Sequence, residues 1–212
     1  MHALLLGASG LVGSQFLTLL LAENSITSVT ALVRKPLPVQ HTKLRQVAIN
    51  FDSPDKDKAD FKCDLVFSAL GTTISKAGSK DNFRLVDYTY QLEVATLAKQ
   101  QGARCFTLVS ALGADAKSPI FYNRVKGEIE EALQKLNFES LLLLRPSILL
   151  GARNENRPGE AAAQWVAKKM PFLFSGPLEK YKGVTAERVA AAMLQPVRNP
   201  FQGIRVLENL DL

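Results

Sequence analysis

The stretch that most constrains this chain is its first thirteen residues, Met1-His2-Ala3-Leu4-Leu5-Leu6-Gly7-Ala8-Ser9-Gly10-Leu11-Val12-Gly13. Ala3 to Leu6 is short and continuously apolar, the pattern of a strand buried on both faces. Gly7, Gly10 and Gly13 then fall every third residue, where the chain must turn and start a helix. Leu11, Phe16, Leu17, Leu20 and Leu21 supply that helix with an apolar face. Strand, glycine turn and helix N-terminus together make an anion site, because free amides point outward and the helix dipole adds about half a positive charge. Without Cβ atoms, the glycines let a pyrophosphate come close to the backbone. The spacing is G-x-x-G-x-x-G, not the commoner G-x-G-x-x-G, and three glycines can also serve an ordinary tight turn. A strand before and a helix after, at the head of an alternating chain, favour the dinucleotide reading.

The rest of the chain keeps the alternation. Strands are expected at Thr27 to Val33, Val47 to Phe51, Leu65 to Leu70, Ala103 to Val109, Glu139 to Leu144 and Gly203 to Leu207. Between them, one long helix is expected from Asp81, with Phe83, Val86, Tyr90, Val94 and Leu97 at three- and four-residue steps and Gly102 as its stop. Ser118-Pro119 marks a second helix start, running to about Leu136. Short helices are expected over Glu160 to Lys169 and Thr185 to Leu194, with a polar connection at Pro54 to Lys62. The implied fold is α/β: a doubly wound parallel sheet with helices on both faces. Residues 1–212 make a single domain, with a small C-terminal elaboration at 151–183 on the substrate side.

Composition excludes several classes. No apolar run is long enough to span a membrane, and glycines interrupt the leucine-rich N-terminal stretch, which has no basic segment before it, so it is not a signal peptide. The net charge is +6, but the cations are scattered, with short clusters at Arg34-Lys35 and Lys168-Lys169. Aromatics do not interleave with them as in a nucleic-acid platform. The two cysteines, Cys63 and Cys105, each open an apolar run and form no C-x-x-C pair; with only two histidines, no metal site is expected. Reduced core thiols fit a cytoplasmic protein.

Two further groups carry chemistry. Arg34-Lys35 follows the second strand directly, where NAD-binding folds place a carboxylate for the ribose hydroxyls. Two cations there would pair with a 2′-phosphate, so the expected cofactor is NADP(H). Tyr122 and Lys126 stand four residues apart on one helix face, in a row continued by Ile129, Leu133 and Leu136. A cation beside a phenol favours the phenolate and suits it to acid–base work. Ser110, at the end of the preceding strand, can share a substrate carbonyl with Tyr122. Ala69-Leu70-Gly71-Thr72-Thr73 adds a second glycine-hydroxyl turn at a strand's C-terminal end, where open α/β sheets bind ligands.

With these residues in view, the chain resembles the short-chain dehydrogenase/reductase superfamily in its atypical or extended branch, and more narrowly the Tat-interacting-protein-like oxidoreductases. The matching stretches are Gly7–Gly13, Ala69–Thr73, Ser110–Asp115, Tyr122–Glu128 and Leu144–Gly151. The resemblance implies a Rossmann fold with Ser110, Tyr122 and Lys126 as the catalytic triad. Gly7, Ser9, Gly10, Leu11 and Val12 would line the pyrophosphate, and Arg34 and Lys35 the 2′-phosphate. Asp52 would lie near the adenine, Leu70 and Gly71 near the adenosine or nicotinamide ribose, and Pro146 to Ile148 near the carboxamide; Tyr122 and Lys126 would also contact the cofactor, Lys126 by holding the ribose. Many members carry an asparagine for a proton relay on the helix before the catalytic strand; this chain has Val86-Asp87-Tyr88 there. The leading expectation is an NADPH-dependent reductase of a small-molecule carbonyl substrate, enclosed by Leu112–Pro119 and Gly151–Gly183. The other is an NADP(H)-binding regulatory or scaffold protein. Arg153 and Arg157 are read as solvated loop arginines. Neither nucleic acid nor membrane is an expected partner, and monomer and homodimer stay equally open.

Overall fold

The computed structural model describes residues 1–51, 61–150 and 182–212. Seven strands form one parallel sheet: β1 (His2–Leu6), β2 (Ser28–Val33), β3 (Leu44–Ala48), β4 (Leu65–Ser68), β5 (Cys105–Val109), β6 (Ser140–Arg145) and β9 (Gly203–Glu208). Their order is β3-β2-β1-β4-β5-β6-β9. A separate two-stranded parallel pair joins β7 (Leu149–Leu150) to β8 (Val184–Thr185). The chain runs outward from β1 to β3, then returns to place β4 on β1's other side. That reversal opens a crevice at the carboxyl ends of β1 and β4, the point where doubly wound sheets take their ligands.

Successive side chains of β1 divide between two cores, as the strand period of two requires. Ala3 and Leu5 pack with Phe16 and Leu20 of α1 (Leu11–Ala22) and with Val189, Ala190 and Met193 of the helix Ala186–Met193. Leu4 and Leu6 pack on the other face with Val66, Phe106, Val94 and Ile129. Burial on both sides explains why β1, β2, β4, β5 and β6 are legible as largely apolar runs, with Thr30, Ser68 and Thr107 as buried hydroxyls in β2, β4 and β5. Cys63 and Cys105 are free thiols inside this framework, and burial pushes both up to about 12.

The expected third strand is displaced. β3 is Leu44–Ala48, not Val47 to Phe51, and pairs with β2 at the edge of the sheet. An edge strand is half exposed and carries polar residues such as Arg45 and Gln46. The apolar Ile49 and Phe51 lie just beyond it, tucked into the second core.

The long helix expected from Asp81 is three pieces. After the single turn α2 (Ile74–Ala77), α3 (Lys80–Arg84) opens on a Ser79 cap, a π turn occupies Leu85–Thr89, and α4 (Tyr90–Gln100) continues to the Gly102 turn. The buried row is therefore Phe83, Asp87, Gln91, Val94, Ala95 and Ala98. Val86, Tyr90 and Leu97, assigned to the core stripe from their spacing, are only partly buried. The polar members of the true row have partners: Ser68 Oγ donates to Gln91 Oε1 at 2.6 Å, and Gln91 Nε2 donates to the Asp87 carbonyl at 3.1 Å.

α5 runs Phe121–Lys135, two residues inside the start that Ser118-Pro119 suggested. Ile120 is its cap residue, and the Ser118 hydroxyl instead receives the Ile120 amide at 3.2 Å. α6 (Ala186–Met193) is capped by Thr185, and a short α7 (Gln195–Arg198) follows. The expected Glu160 to Lys169 helix, Asp52, most of the Pro54 to Lys62 connection, Arg153 and Arg157 lie outside the described residues. Among the described residues no helix is long and apolar enough to cross a membrane.

Candidate active site

The glycine turn is built by close approach. Gly7 has φ +79°, and a Cβ on it would lie 2.5 Å from the Ala69 carbonyl, so β1's exit presses directly on β4's exit. Its carbonyl accepts the Gly10 amide at 2.9 Å. A Cβ on Gly13 would sit 2.0 Å from that same Gly7 oxygen, which means the first turn of α1 rests on the loop that feeds it. Gly10 caps α1 without any side-chain hydrogen bond, and the first turn contains no acid. The leading amides of a helix have no intrahelical acceptor, so those of α1 stand ready for an anion, and the surroundings fit a dinucleotide pyrophosphate. Gly13→Ala is expected to destabilise the fold by about 1–3 kcal/mol through overpacking and to remove dinucleotide binding; thermal melting with and without coenzyme reads both.

A cleft of about 510 Å³ opens beside this turn. Ser9, Gly10, Leu11, Val12 and Ser14 form one wall, and Ala69 to Thr72 another. Ser110 enters from the end of β5, Tyr122 and Lys126 from α5, Asp87 from the π turn and Leu149 from β7. Thus Ser9, Gly10, Leu11, Val12, Leu70, Gly71, Ser110, Tyr122 and Lys126, singled out in the sequence, share one cavity. Gly7 supports the turn from behind. Arg34 and Lys35 are exposed at the end of β2 and do not line the cleft. Pro146 and Ile148, expected near a carboxamide, are not among its lining residues; Leu149 is.

Lys126 does not snorkel outward. Its Nζ lies 2.7 Å from Asp87 Oδ1, with side chains only 4% and 1% exposed. The other oxygen, Oδ2, accepts the Thr72 amide at 2.9 Å. Burial alone would push the Lys126 pKa down; Asp87, then Tyr122 and Glu130, outweigh it and hold the ammonium above its ordinary value. The position where the superfamily often carries asparagine is therefore a carboxylate holding the lysine in its charged form. The π turn is what carries Asp87: its bulge sits in the segment facing α5, a common location for functional groups. Tyr122 keeps its ring 5.5 Å from Phe83, which braces the phenol from the side of α3.

One participant escaped the sequence reading. Glu130 continues the Tyr122–Lys126 row by another four residues, is 3% exposed, and accepts a hydrogen bond from Ser110 Oγ. Arg145, the last residue of β6, grips the same carboxylate with Nε at 3.2 Å and a terminal nitrogen at 2.6 Å. Its other terminal nitrogen reaches Glu208 on β9 at 3.0 Å. Hydrogen bonds to Glu130 come first among the causes that hold the Arg145 pKa above its ordinary value. The available signal was the extended spacing Tyr122-x-x-x-Lys126-x-x-x-Glu130, which a search for apolar continuity passes over.

A glycine-cradled helix terminus at a sheet's switch point, facing a tyrosine and a buried lysine, is the arrangement of a nicotinamide-coenzyme binding protein. The chain belongs to the NAD(P)H-binding family, whose model matches residues 7–149. It is 38% identical over 212 residues to the rat protein HTATIP2, covering 97% of this chain and 85% of that one. The protein FMP52, mitochondrial, of Candida albicans is 36% identical over 172 residues, covering 78% and 75%. Among solved structures, MoeE5 in complex with UDP-glucuronic acid and NAD superposes with a TM-score of 0.75 at 16% identity, over 98% of this chain and 75% of that one. A UDP-glucose 4-epimerase from Thermotoga maritima superposes at 0.73 and 13% identity, over 98% and 77%. At such identities these two structures speak to the fold alone.

Proposed function

We propose that the protein is an NADPH-dependent oxidoreductase that reduces a carbonyl group of a small molecule. The observation that supports this most is that Tyr122 and the ion-paired Lys126 line the same cleft as the glycine turn. Ser9 to Val12 would hold the pyrophosphate on the amides of α1, and Leu70 and Gly71 a ribose. When bound, NADPH supplies a hydride to a carbonyl carbon. Tyr122 donates its phenolic proton to the carbonyl oxygen as that atom gains charge, yielding an alcohol. Lys126, fixed by Asp87, holds its positive charge in the same cleft as the phenol. Ser110 contacts the substrate from the end of β5. Consumption of NADPH over a panel of aldehydes and ketones tests the reading; absence of binding to either nicotinamide coenzyme by calorimetry would sink it.

The preference for the phosphorylated coenzyme rests on Arg34 and Lys35, which follow β2 directly without a neighbouring carboxylate in the sequence. Bonds between a charged donor and a phosphate contribute about 1.5–3 kcal/mol, or about ten- to a hundredfold in affinity. Arg34→Glu with Lys35→Glu should weaken NADPH binding by that factor and leave NADH binding nearly unchanged. An equal loss for both coenzymes would remove the 2′-phosphate assignment.

A further inference from the structure

Glu130 takes no part in the reaction above, yet it is nearly fully buried and engaged on both oxygens. A serine hydroxyl has one hydrogen to give and two lone pairs to receive with. In Ser110 that hydrogen is given to the Glu130 carboxylate. Arg145 keeps the carboxylate in place from the far side, itself tethered to Glu208, its register partner on β9. A hydrogen bond to a charged acceptor is roughly twice as strong as one between neutral groups. A neutral carbonyl oxygen entering the cleft would therefore lose the contest for the Ser110 proton. What Ser110 offers the cleft is an acceptor.

We propose that Glu130 is a positioning residue that fixes Ser110 as a hydrogen-bond acceptor, so that the substrate is a carbonyl compound carrying a hydroxyl or N–H donor beside the reacting carbon. This rests on the reductase reading for its substrate, but not for the Glu130–Ser110 coupling. Tyr122 then serves the carbonyl oxygen and Ser110 the neighbouring donor, so the two hydroxyls grip different atoms of one molecule. A ligand without the donor leaves the Ser110 oxygen facing an apolar group, which costs affinity for a buried polar atom.

Hydroxyacetone and butan-2-one provide the probe pair, since they differ only in hydroxyl against methyl. With NADPH, the protein should show kcat/KM about tenfold higher for hydroxyacetone, the factor that one hydrogen bond of ordinary strength supplies. Glu130→Gln, whose amide can donate to Ser110 and free its proton, should bring the ratio close to one. Ser110→Ala should do the same, and the two changes together should have no additional effect. A ratio of one in the unaltered protein, or an unchanged ratio in Glu130→Gln, overturns the proposal. A readout independent of turnover uses Ser110→Cys. The native thiols are buried and pushed up to about 12, so iodoacetamide at about pH 8 reports the cysteine at 110, whose unperturbed pKa is about 8.5. A neighbouring carboxylate disfavours its thiolate, and alkylation should become several-fold faster when Glu130→Gln is added. Equal rates would overturn the Glu130 assignment. If neither ketone is reduced, the reductase reading and its donor-bearing substrate fall together, and the alkylation rates still decide whether Glu130 controls residue 110.

Discussion

Tyr122→Phe is expected to lower NADPH-dependent carbonyl reduction by about 10²–10⁴, the usual worth of a positioned general acid, with coenzyme affinity unchanged within about threefold. The substitution removes one oxygen and retains the ring that stands 5.5 Å from Phe83, so packing around α5 is preserved. The glycine turn and the amides of α1 lie on another wall of the cleft and do not depend on the phenol. Loss of kcat with an intact Kd for NADPH is therefore the signature of a proton donor. If the variant turns over at the rate of the unaltered protein, Tyr122 is not the acid and the mechanism fails at its central step.

Lys126→Met is expected to do more than slow the reaction. Asp87 would keep the Thr72 amide but lose its only cationic neighbour among the described contacts, in a place where the carboxylate is 1% exposed. Removing one partner of a buried ion pair costs about 3–5 kcal/mol, which in a domain of this size lowers Tm by about 6–20 °C. Lys126→Met with Asp87→Asn should recover most of that loss, since the stranded charge is gone, while activity stays low. A single variant as stable as the unaltered protein would contradict the buried pair. The pH dependence has a definite sign. Lys126 is held above its ordinary value of about 10.4, so the pair's contribution is fully present below that pH and is lost only as pH rises through the higher folded value. Neutral and mildly alkaline buffers should leave it untouched; a stability loss between pH 7 and 9 that disappears in the double variant would argue against this direction.

The parts of the molecule that were readable in sequence are those where one physical demand dominates. A strand covered on both faces is dominated by apolar residues, and Ala3 to Leu6, Leu65 to Phe67 and Leu141 to Leu144 leave little choice. The glycines at 7, 10 and 13 are equally plain, because any side chain at 7 or 13 would overlap backbone. β3 was misplaced because an edge strand answers to two environments, and the apolar residues beside it belong to the core without belonging to the sheet. The π turn had no signal at all: a single residue's worth of extra winding changes which positions face inward, so of the expected stripe Phe83 and Val94 are fully buried, while Val86, Tyr90 and Leu97 are only partly so and Asp87 and Gln91 join the buried row. Glu130 was hidden for a related reason. Its buried carboxylate is made tolerable by Ser110 and Arg145, residues twenty positions before it and fifteen after, and such compensation is visible only once the strands are side by side.

The small ladder formed by β7 and β8 has a consequence for how this architecture can diversify. Leu149 and Leu150 pair with Val184 and Thr185, and Asn209 fastens the same neighbourhood by accepting the Ser147 amide and donating to the Lys182 carbonyl. Both ends of the intervening stretch are thereby clamped together next to Leu149, a wall residue of the cavity. Lengthening a loop between fixed posts costs only about 0.6 kcal/mol per doubling. The pairing of β7 with β8 can consequently be kept whatever length of chain it joins, and the glycine turn at the other wall of the cleft does not depend on it.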